Sequence, residues 1–220
     1  MRNLIIFGSS GHAADIIDIF EKSDNYRIIG LIDSFRKIGE KTLGYSVIAN
    51  DDNLLDVINE NPDAAFFPAV GDNWGRSIVV NKLKSFNNSI YFANAIHPGA
   101  CIGKDVVLGQ GVALFSGANV SAGSIIGDFS ILNSNSSVGH NSFLREYSSL
   151  GPGAITGGDF SLGQFSAVAI GAVVREKISV GNNAVVGAGS LLLTHCPDNS
   201  LMYGHPAKFI RLRNQGEKYL

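Results

Sequence analysis

Residues 131–160 read ILNSNSSVGHNSFLREYSSLGPGAITGGDF, and the same class of side chain, usually aliphatic, returns in this stretch at every sixth position. The period runs without a break from Ile102 to Cys196, and Thr156 is the one polar residue in the aliphatic position. The residue directly after the aliphatic one is often Gly, and the residue four positions after the aliphatic one is usually Ala or Ser. Hexads of this kind predict a parallel β-helix, whose stacked repeats bury one continuous apolar core.

The stacking of such a β-helix predicts the neighbours of each residue. Three hexads complete one triangular coil, so residues eighteen apart are expected to lie one above another. On that spacing His140 lies between Ala122 and Gly158, two small residues that leave open space around an imidazole. Histidine titrates near neutrality, so its imidazole suits the role of a general base. A surface histidine without a role is the alternative interpretation.

The composition excludes several classes of protein. The chain has 220 residues, of which 45% are hydrophobic, enough for a packed core without disulfides. A net charge of -2 disfavours nucleic-acid binding, and no apolar run approaches the roughly 18 residues that span a bilayer. With two cysteines and no secretory signal, we expect a soluble cytoplasmic protein without a membrane partner. The histidines and acids lack metal-ligand spacing, so no metal site is expected.

The first 96 residues have a different pattern. Leu4 to Phe7 is a short apolar run, Ala13 to Glu21 has helical spacing, and Arg27 to Ile32 is a second apolar run. Further along, Asp52 to Asn61 and Arg76 to Phe86 read as helices, whereas Ala64 to Val70 and Ile90 to Ala93 read as strands. This alternation predicts a small Rossmann-like α/β domain over residues 1–96.

The turn after the first strand is a candidate ligand site. Residues 8–12 are Gly-Ser-Ser-Gly-His, with two of the three glycines of a dinucleotide fingerprint, so no nicotinamide cofactor is expected. Gly11 opens a helix whose N-terminus favours anions, and Asp33 ends the second strand, where such sheets bind polar ligand groups. Residues 71–74, which include Asn73, follow the third strand and are expected in the same crevice. A tight turn beside a solvated strand end is the alternative.

The register of the hexads resembles the left-handed β-helix of the hexapeptide-repeat acyltransferases. The fuller match is to the bacterial subfamily that acetylates nucleotide-linked amino sugars and sialic acids. Outside the coil, the segments that carry it are residues 8–12, the strand end at Asp33, residues 71–73, His97-Pro98 and the Gly-His-Pro-Ala-Lys of residues 204–208. The resemblance implies a left-handed β-helix over residues 97–200, a C-terminal tail over 201–220, and a homotrimer with active sites between subunits.

The resemblance also implies roles for residues of the coil. His140 corresponds to the general base, and Gly158 to the residue whose backbone N–H helps bind the thioester of acetyl-CoA. Asn133 lies where the family has an asparagine that contacts the substrate. Many members have an acidic residue after the histidine, whereas this chain has Asn141. We hypothesise that Asp159, eighteen residues further on, supplies the missing charge.

The remaining expectations concern ligands. Lys208, near Arg211 and Arg213, is a candidate for the phosphates of coenzyme A, although a solvated basic tail is as plausible. Cys196 is expected to be a buried apolar thiol. The α/β domain is expected to hold the nucleotide through Gly8, Ser10, Gly11, His12, Asp33 and Asn73.

These expectations combine into one predicted activity and two alternatives. The predicted activity is acetyl-CoA-dependent N-acetylation of a nucleotide-linked 4-amino-4,6-dideoxy sugar for polysaccharide biosynthesis. Direct attack in a ternary complex is favoured, because no activated Ser or Cys accompanies His140. The alternatives are O-acetylation of a sialic-acid-like sugar and a β-helix scaffold without catalytic activity.

Overall fold

The computed structural model describes residues 1–23 and 25–218, which form two compact units. The first unit contains Met1–Gly71 and Gly75–Pro98. The second contains Asp72–Trp74 and the chain from Gly99 onward. No helix in the described part of the chain is both long enough and apolar enough to cross a membrane.

The first unit is a twisted sheet with helices, as the alternation of apolar runs predicts. Its strands are β1 (Arg2–Phe7), β2 (Tyr26–Ile32), β3 (Lys41–Thr42), β4 (Tyr45–Ala49), β5 (Ala65–Pro68) and β6 (Tyr91–Phe92), in the spatial order β3-β4-β2-β1-β5-β6. The helices are α1 (Gly11–Glu21), α2 (Leu54–Glu60) and α3 (Asn73–Phe86), and a short strand β7 (Ala95–Ile96) follows them.

The sheet is parallel except at one edge. Strand β1 pairs in parallel with both β2 and β5, and its residues Leu4, Ile5 and Ile6 are fully buried. Parallel strands covered on both faces read as continuous apolar runs, which is why these strands were recognisable in the sequence. The hairpin of β3 and β4 is antiparallel and was not predicted, since it is short and only partly apolar.

The second unit is a parallel β-helix of two-residue strands, which confirms the predicted fold class. One wall contains β8 (Cys101–Ile102), β11 (Asn119–Val120), β14 (Ser137–Val138), β17 (Ile155–Thr156), β20 (Val173–Val174) and β23 (Leu191–Leu192). The next contains β9 (Val107–Leu108), β12 (Ile125–Ile126), β15 (Phe143–Leu144), β18 (Ser161–Leu162) and β21 (Ser179–Val180). The third contains β10 (Ala113–Leu114), β13 (Ile131–Leu132), β16 (Ser149–Leu150), β19 (Ala167–Val168) and β22 (Val185–Val186).

The register between coils follows the expected spacing of eighteen. Val120 pairs with Val138, and Ile126 pairs with Leu144. The aliphatic side chains point into the prism and are buried, as at Val138. The apolar core therefore runs along the axis of the coil and leaves the corners for other chemistry.

Each corner of the coil contains one residue in the left-handed backbone conformation, three positions after the aliphatic residue. Asn141 and Asp159 are two of them, each with a φ of 53°. Gly, Asn and Asp tolerate this conformation best, which explains why they recur at the position. Three aromatic residues occupy it in consecutive coils and stack on one another, with ring centroids about 5 Å apart: Phe129, Tyr147 and Phe165.

The segment after the coil adds two strands to its third wall. Strand β24 (Ser200–Gly204) pairs in parallel with β22, and β25 (Ala207–Leu212) pairs antiparallel with β24. The described part of residues 201–220 is therefore built onto the β-helix. Just before it, Cys196 is buried, and burial raises the pKa of its thiol to about 12, so the thiol is inert.

Candidate active site

His140 lies on an exposed corner of the coil, between β14 and β15. Its imidazole packs against the backbone of Gly158 in the coil above, as the spacing of eighteen predicts. A Cβ on Gly158 would stand 2.5 Å from Cε1 of His140 and closer still to Nε2. Glycine is therefore required at residue 158 for the imidazole to occupy this place, and Nε2 is the ring atom nearest to residue 158.

The other ring nitrogen of His140 contacts Asn141. The amide nitrogen Nδ2 of Asn141 lies 3.2 Å from Nδ1 of the imidazole. A half-turn of the amide exchanges its nitrogen and oxygen, and the partner on Nδ1 fixes which ring nitrogen carries the proton. With the amide oxygen towards the ring, Nδ1–H donates to Asn141 and Nε2 keeps a free lone pair. This tautomer makes His140 a base on the side that faces Gly158.

The N–H of Gly158 is available to a ligand. At the same position of some other hexads, the N–H donates to a side chain from the coil above, as Gln110 does to Asp128 and Gln164 does to Asn182. Within residues 1–23 and 25–218, the N–H of Gly158 has no such acceptor. A buried glycine N–H beside a histidine suits the stabilisation of a developing oxyanion.

Hydrogen bonds between coils hold Asp159 at this corner and Asn133 at the corner between β13 and β14. The N–H of Asp159 donates to the carbonyl of His140 at 2.8 Å, and its exposed carboxylate forms no ion pair with the imidazole in the described part of the chain. The amide Nδ2 of Asn133 donates to the carbonyl of Leu150 at 2.8 Å. Asn133 thus links two coils, and its amide oxygen remains the atom able to accept from a substrate.

The first unit contains an open cleft at the turn between β1 and α1, with a volume of about 610 Å³. Gly8 has a φ of 121°, and a Cβ there would stand 2.6 Å from the carbonyl oxygen of Ala69, so only glycine fits. Space is open around Gly11, the first residue of α1, and a helix N-terminus favours an anion. The cleft is lined by Ser9, Ser10, Gly11, Ala14, Asp33, Phe35, Arg36, Lys41 and Thr42.

Asp33 is fixed as a carboxylate at the edge of this cleft. Ser9 Oγ donates to Oδ2 at 2.5 Å, and the N–H groups of Phe35 and Arg36 donate to Oδ1 at 2.8 and 3.0 Å. Burial by itself would raise the pKa of Asp33, but these hydrogen bonds outweigh it and hold the pKa below its usual value. Asp33 is therefore ionised at neutral pH and oriented by its own loop.

Three predicted nucleotide-binding residues are outside the lining of this cleft: Gly8, which forms its turn, His12 and Asn73. His12 packs beside Gly71 and Arg76, and burial together with the charge of Arg76 lowers its pKa from 6.5 to about 4. Asn73 belongs to the second unit, where it is buried and donates from Nδ2 to the carbonyl of Ser166 at 3.1 Å. Asn73 is therefore not among the residues that line the cleft with Gly11 and Asp33.

Several cleft residues were not predicted from the sequence, and Phe35, Arg36 and Lys41 are the ones with side chains suited to a nucleotide. Phe35 is 96% exposed at the rim, a position where an aromatic ring is free to stack on a base. Arg36 donates from Nη1 to Thr42 Oγ1 at 2.8 Å, and Lys41 adds a second cation. The signal in the sequence that could have indicated them is Phe35 followed by basic residues, directly after the strand end at Asp33.

The C-terminal cations are spread along β25. Lys208 is exposed and lies opposite Tyr203 of β24, whereas Arg211 forms an ion pair with Glu217. In the described ranges no group of three or more His, Cys, Asp and Glu side chains is arranged to hold a metal ion.

A β-helix of hexads with a basic histidine against a free glycine N–H defines the class as a hexapeptide-repeat acyltransferase. Comparisons with known proteins identify the family within this class. Residues 3–83 match the family model described as the PglD N-terminal domain. No curated protein sequence matches the chain significantly.

Two solved structures resemble nearly the whole chain. A His-to-Asn mutant of perosamine N-acetyltransferase from Caulobacter crescentus, in complex with CoA and GDP-perosamine, is 30% identical. The match covers 96% of this chain and 98% of that one with a TM-score of 0.89. The acetyltransferase domain of PglB from Neisseria gonorrhoeae, in complex with acetyl coenzyme A, is 25% identical over 95% of this chain and 99% of that one, with a TM-score of 0.85. The chain therefore belongs to the hexapeptide-repeat sugar acetyltransferases.

Proposed function

We propose that this protein transfers the acetyl group of acetyl-CoA to the amino group of a nucleotide-linked amino sugar of the 4-amino-4,6-dideoxy type. The observation that carries this proposal is the pairing of His140 with Gly158. The imidazole of His140, with Nε2 beside residue 158, and a backbone N–H without an acceptor in the described residues stand at one corner of the coil. These are the two groups that acyl transfer from a thioester to an amine requires.

The transfer follows from these positions in a ternary complex. The neutral amine attacks the thioester carbonyl carbon while Nε2 of His140 takes one proton from the nitrogen. The oxyanion that forms accepts the N–H of Gly158. When the carbon–sulfur bond breaks, the imidazolium returns its proton to the departing thiolate, and the products are an acetamido sugar and free CoA. Asn141 orients the ring through Nδ1, and Asp159, which fixes the carbonyl of His140, remains the candidate for an additional negative charge.

The relatives support the choice of ligands. The Caulobacter enzyme was crystallised with CoA and GDP-perosamine, also as mutants in which a histidine is replaced by asparagine or alanine. The Neisseria domain was crystallised with acetyl coenzyme A. Acetyl-CoA is accordingly the cosubstrate in our proposal, with the N–H of Gly158 on its carbonyl and Lys208 as the candidate for its phosphates. Asn133 is the candidate for contact with the sugar.

The nucleotide is assigned to the cleft of the first unit. The N-terminus of α1 at Gly11, with Ser10 before it, offers amides for a diphosphate. Asp33 is an ionised acceptor for N–H or O–H groups, and Phe35 offers a face for the base. Gly8 permits the tight turn that makes the cleft, and His12 supports the turn from within.

We infer that the protein is a homotrimer with active sites between subunits. The wall on one side of the His140 corner has an exposed apolar column along the coil axis, formed by Val107 (57% exposed), Ile125 and Phe143. The wall on the other side exposes Ile155 and Val173. Neighbouring copies would cover these columns and enclose His140. Light scattering after size exclusion should give the mass of three chains. A monomer mass at micromolar concentration would contradict the inference.

Acetyl-CoA and nucleotide sugars are cytoplasmic metabolites, so we place the reaction in the cytoplasm, as a modification that precedes polysaccharide assembly.

The test of the proposed activity is release of free CoA from acetyl-CoA against a panel of UDP-, dTDP-, GDP- and CMP-linked sugars. Each amino sugar is paired with the hydroxyl sugar of the same ring as its control. Release with amino sugars alone supports the proposal, whereas faster release with the hydroxyl sugars would make the protein an O-acetyltransferase.

A further inference from the structure

One hydrogen bond between coils differs from the others, and it lies directly before His140. In the regular pattern, the N–H of the glycine after the aliphatic residue donates to the backbone carbonyl seventeen residues later. This holds for Gly103, Gly109, Gly127, Gly151, Gly157 and Gly163. Gly139 instead donates to the side-chain oxygen Oγ1 of Thr156, at 3.3 Å.

Thr156 causes the difference because it is the one polar residue in the aliphatic position. Its side chain is only 4% exposed, inside a column that is otherwise apolar. Strands β14 and β17 are paired through Ser137 and Ile155, and the pairing of Val138 with Thr156 is missing. On its other side Thr156 pairs normally with Val174. The irregularity is confined to the link between Thr156 and Gly139.

The altered hydrogen bond coincides with a close approach between the two coils. A Cβ on Gly139 would come nearer to the backbone above it than one on Gly103, Gly127 or Gly151 would, and slightly nearer than one on Gly163, which also lies below a glycine and keeps the regular hydrogen bond. The atoms it would meet are those of the peptide that joins Gly157 to Gly158. This peptide supplies the N–H that faces the oxyanion in the proposed reaction, and His140 follows Gly139 directly.

We propose that Thr156 is a positioning residue for His140. Its hydroxyl accepts the N–H of Gly139 in place of the backbone carbonyl, and the backbone before His140 thereby takes the place that sets the imidazole against Gly158. The role of Thr156 in turnover rests on the acetyltransferase function proposed above, whereas its effect on the position of the His140 imidazole does not.

The test replaces the hydroxyl by a methyl group of the same size. In Thr156→Val the N–H of Gly139 has only the backbone carbonyl to bond, so the regular hydrogen bond forms and the backbone before His140 shifts. Because misplacement of a catalytic group by about 1 Å costs up to roughly 100-fold, we expect kcat to fall by about 10- to 100-fold. The KM values should change by less than about threefold, since most of the contacts proposed for acetyl-CoA and the nucleotide sugar are made by other residues. Thr156→Ser, which keeps the hydroxyl, should restore kcat to within about threefold of the wild type.

Two readouts separate positioning from general damage and from failure of the proposed function. The amide of Gly139 should exchange with solvent more slowly in Thr156→Val, and the nuclear Overhauser effect between the His140 ring and Gly158 should weaken. Val168→Thr introduces a hydroxyl at the same position of another wall and should leave both signals and kcat unchanged.

An unchanged Overhauser effect or exchange rate in Thr156→Val would overturn the proposal, as would an unchanged kcat. If the wild type released no CoA with any sugar, the proposed function would fail, and the two spectroscopic signals would still decide the role of Thr156.

Discussion

The imidazole of His140 packs against Gly158, eighteen residues later in the chain, and no side chain larger than hydrogen fits between them. The contact puts the basic nitrogen of a histidine beside an N–H that has no acceptor in the described residues. The proximity of these two groups is the reason that the acyl transfer is proposed at this corner of the coil.

Gly158→Ala should displace the imidazole without unfolding the protein. Gly158 does not have a positive φ, so alanine meets no backbone strain, and the three atoms nearest to its Cβ would all belong to the His140 ring. We expect kcat to fall by about 100-fold while the free energy of unfolding falls by roughly 1–3 kcal/mol. The control is the same substitution in a His140→Ala background, where the ring is absent and the stability loss should disappear. An equal loss of stability in both backgrounds would show that the ring does not occupy this place.

Asn141 should act through the orientation of the His140 ring. Asn141→Gly removes the amide but keeps a residue that tolerates the φ of 53°, so stability should change little. We expect kcat to fall by about tenfold because the partner of Nδ1 is lost. Asn141→Asp is equally tolerant of this φ and should retain activity. Because a carboxylate stabilises the imidazolium, the acidic limb of the pH–rate profile should move to higher pH. Identical profiles for wild type and Asn141→Asp would rule out this contact.

His12 predicts a pH-dependent stability. Its pKa is about 4 in the folded protein, because of burial and Arg76, against 6.5 in the unfolded chain. Between these values the unfolded state binds the extra proton, so stability is complete above pH 6.5 and is lost as the pH falls to about 4. The loss should be on the order of 2–3 kcal/mol in denaturant titrations, and His12→Gln should remove it. The exposed His205 supplies the matched variant, His205→Gln, whose pH dependence should equal that of the wild type. A His12→Gln curve parallel to the wild type would refute the assignment.

Phe35 should contribute to binding of the nucleotide and little to stability. Its side chain is 96% exposed, so Phe35→Ala removes almost no buried area. Loss of one stacked base costs about 1–3 kcal/mol, and we expect the KM for the nucleotide sugar to rise at least about fivefold with an unchanged KM for acetyl-CoA. Ile38→Ala, at a residue 57% exposed and outside the cleft lining, is the control. Equal KM values for Phe35→Ala and wild type would place the base elsewhere.

The hexad pattern was sufficient to predict the coil, because its period is imposed by geometry. One residue in every six is buried in the interior of the coil, so the same aliphatic pattern repeats along the sequence. The neighbours of His140 could therefore be predicted from the spacing of eighteen residues between stacked positions. The α/β unit was recognisable for a similar reason, since buried parallel strands are continuous apolar runs. Helix ends were less certain, and α3 begins at Asn73 where the pattern indicated Arg76.

Details that depend on the backbone at the corners were not predictable from the period alone. Residue 141 has a left-handed backbone conformation, and Asn and Asp recur at such positions of the coil. The backbone therefore favours Asn at residue 141, a reason that became visible only once φ was known. Thr156 was noted as an exception, but its hydrogen bond to Gly139 required coordinates. Likewise, neither Asn73, which packs on the β-helix, nor Phe35, exposed at the cleft, had a periodic signal.

The measurement that tests the central claim most directly is the rate of acetyl transfer by His140→Ala, with the nucleotide amino sugar that the wild type accepts. The rate should fall by at least about 100-fold at saturating acetyl-CoA, because the amine loses its base. Binding of the nucleotide sugar, measured by calorimetry in the same variant, should be unchanged, because the cleft proposed to hold the nucleotide is lined by residues of the first unit. A rate equal to that of the wild type would contradict the assignment of His140 as the base.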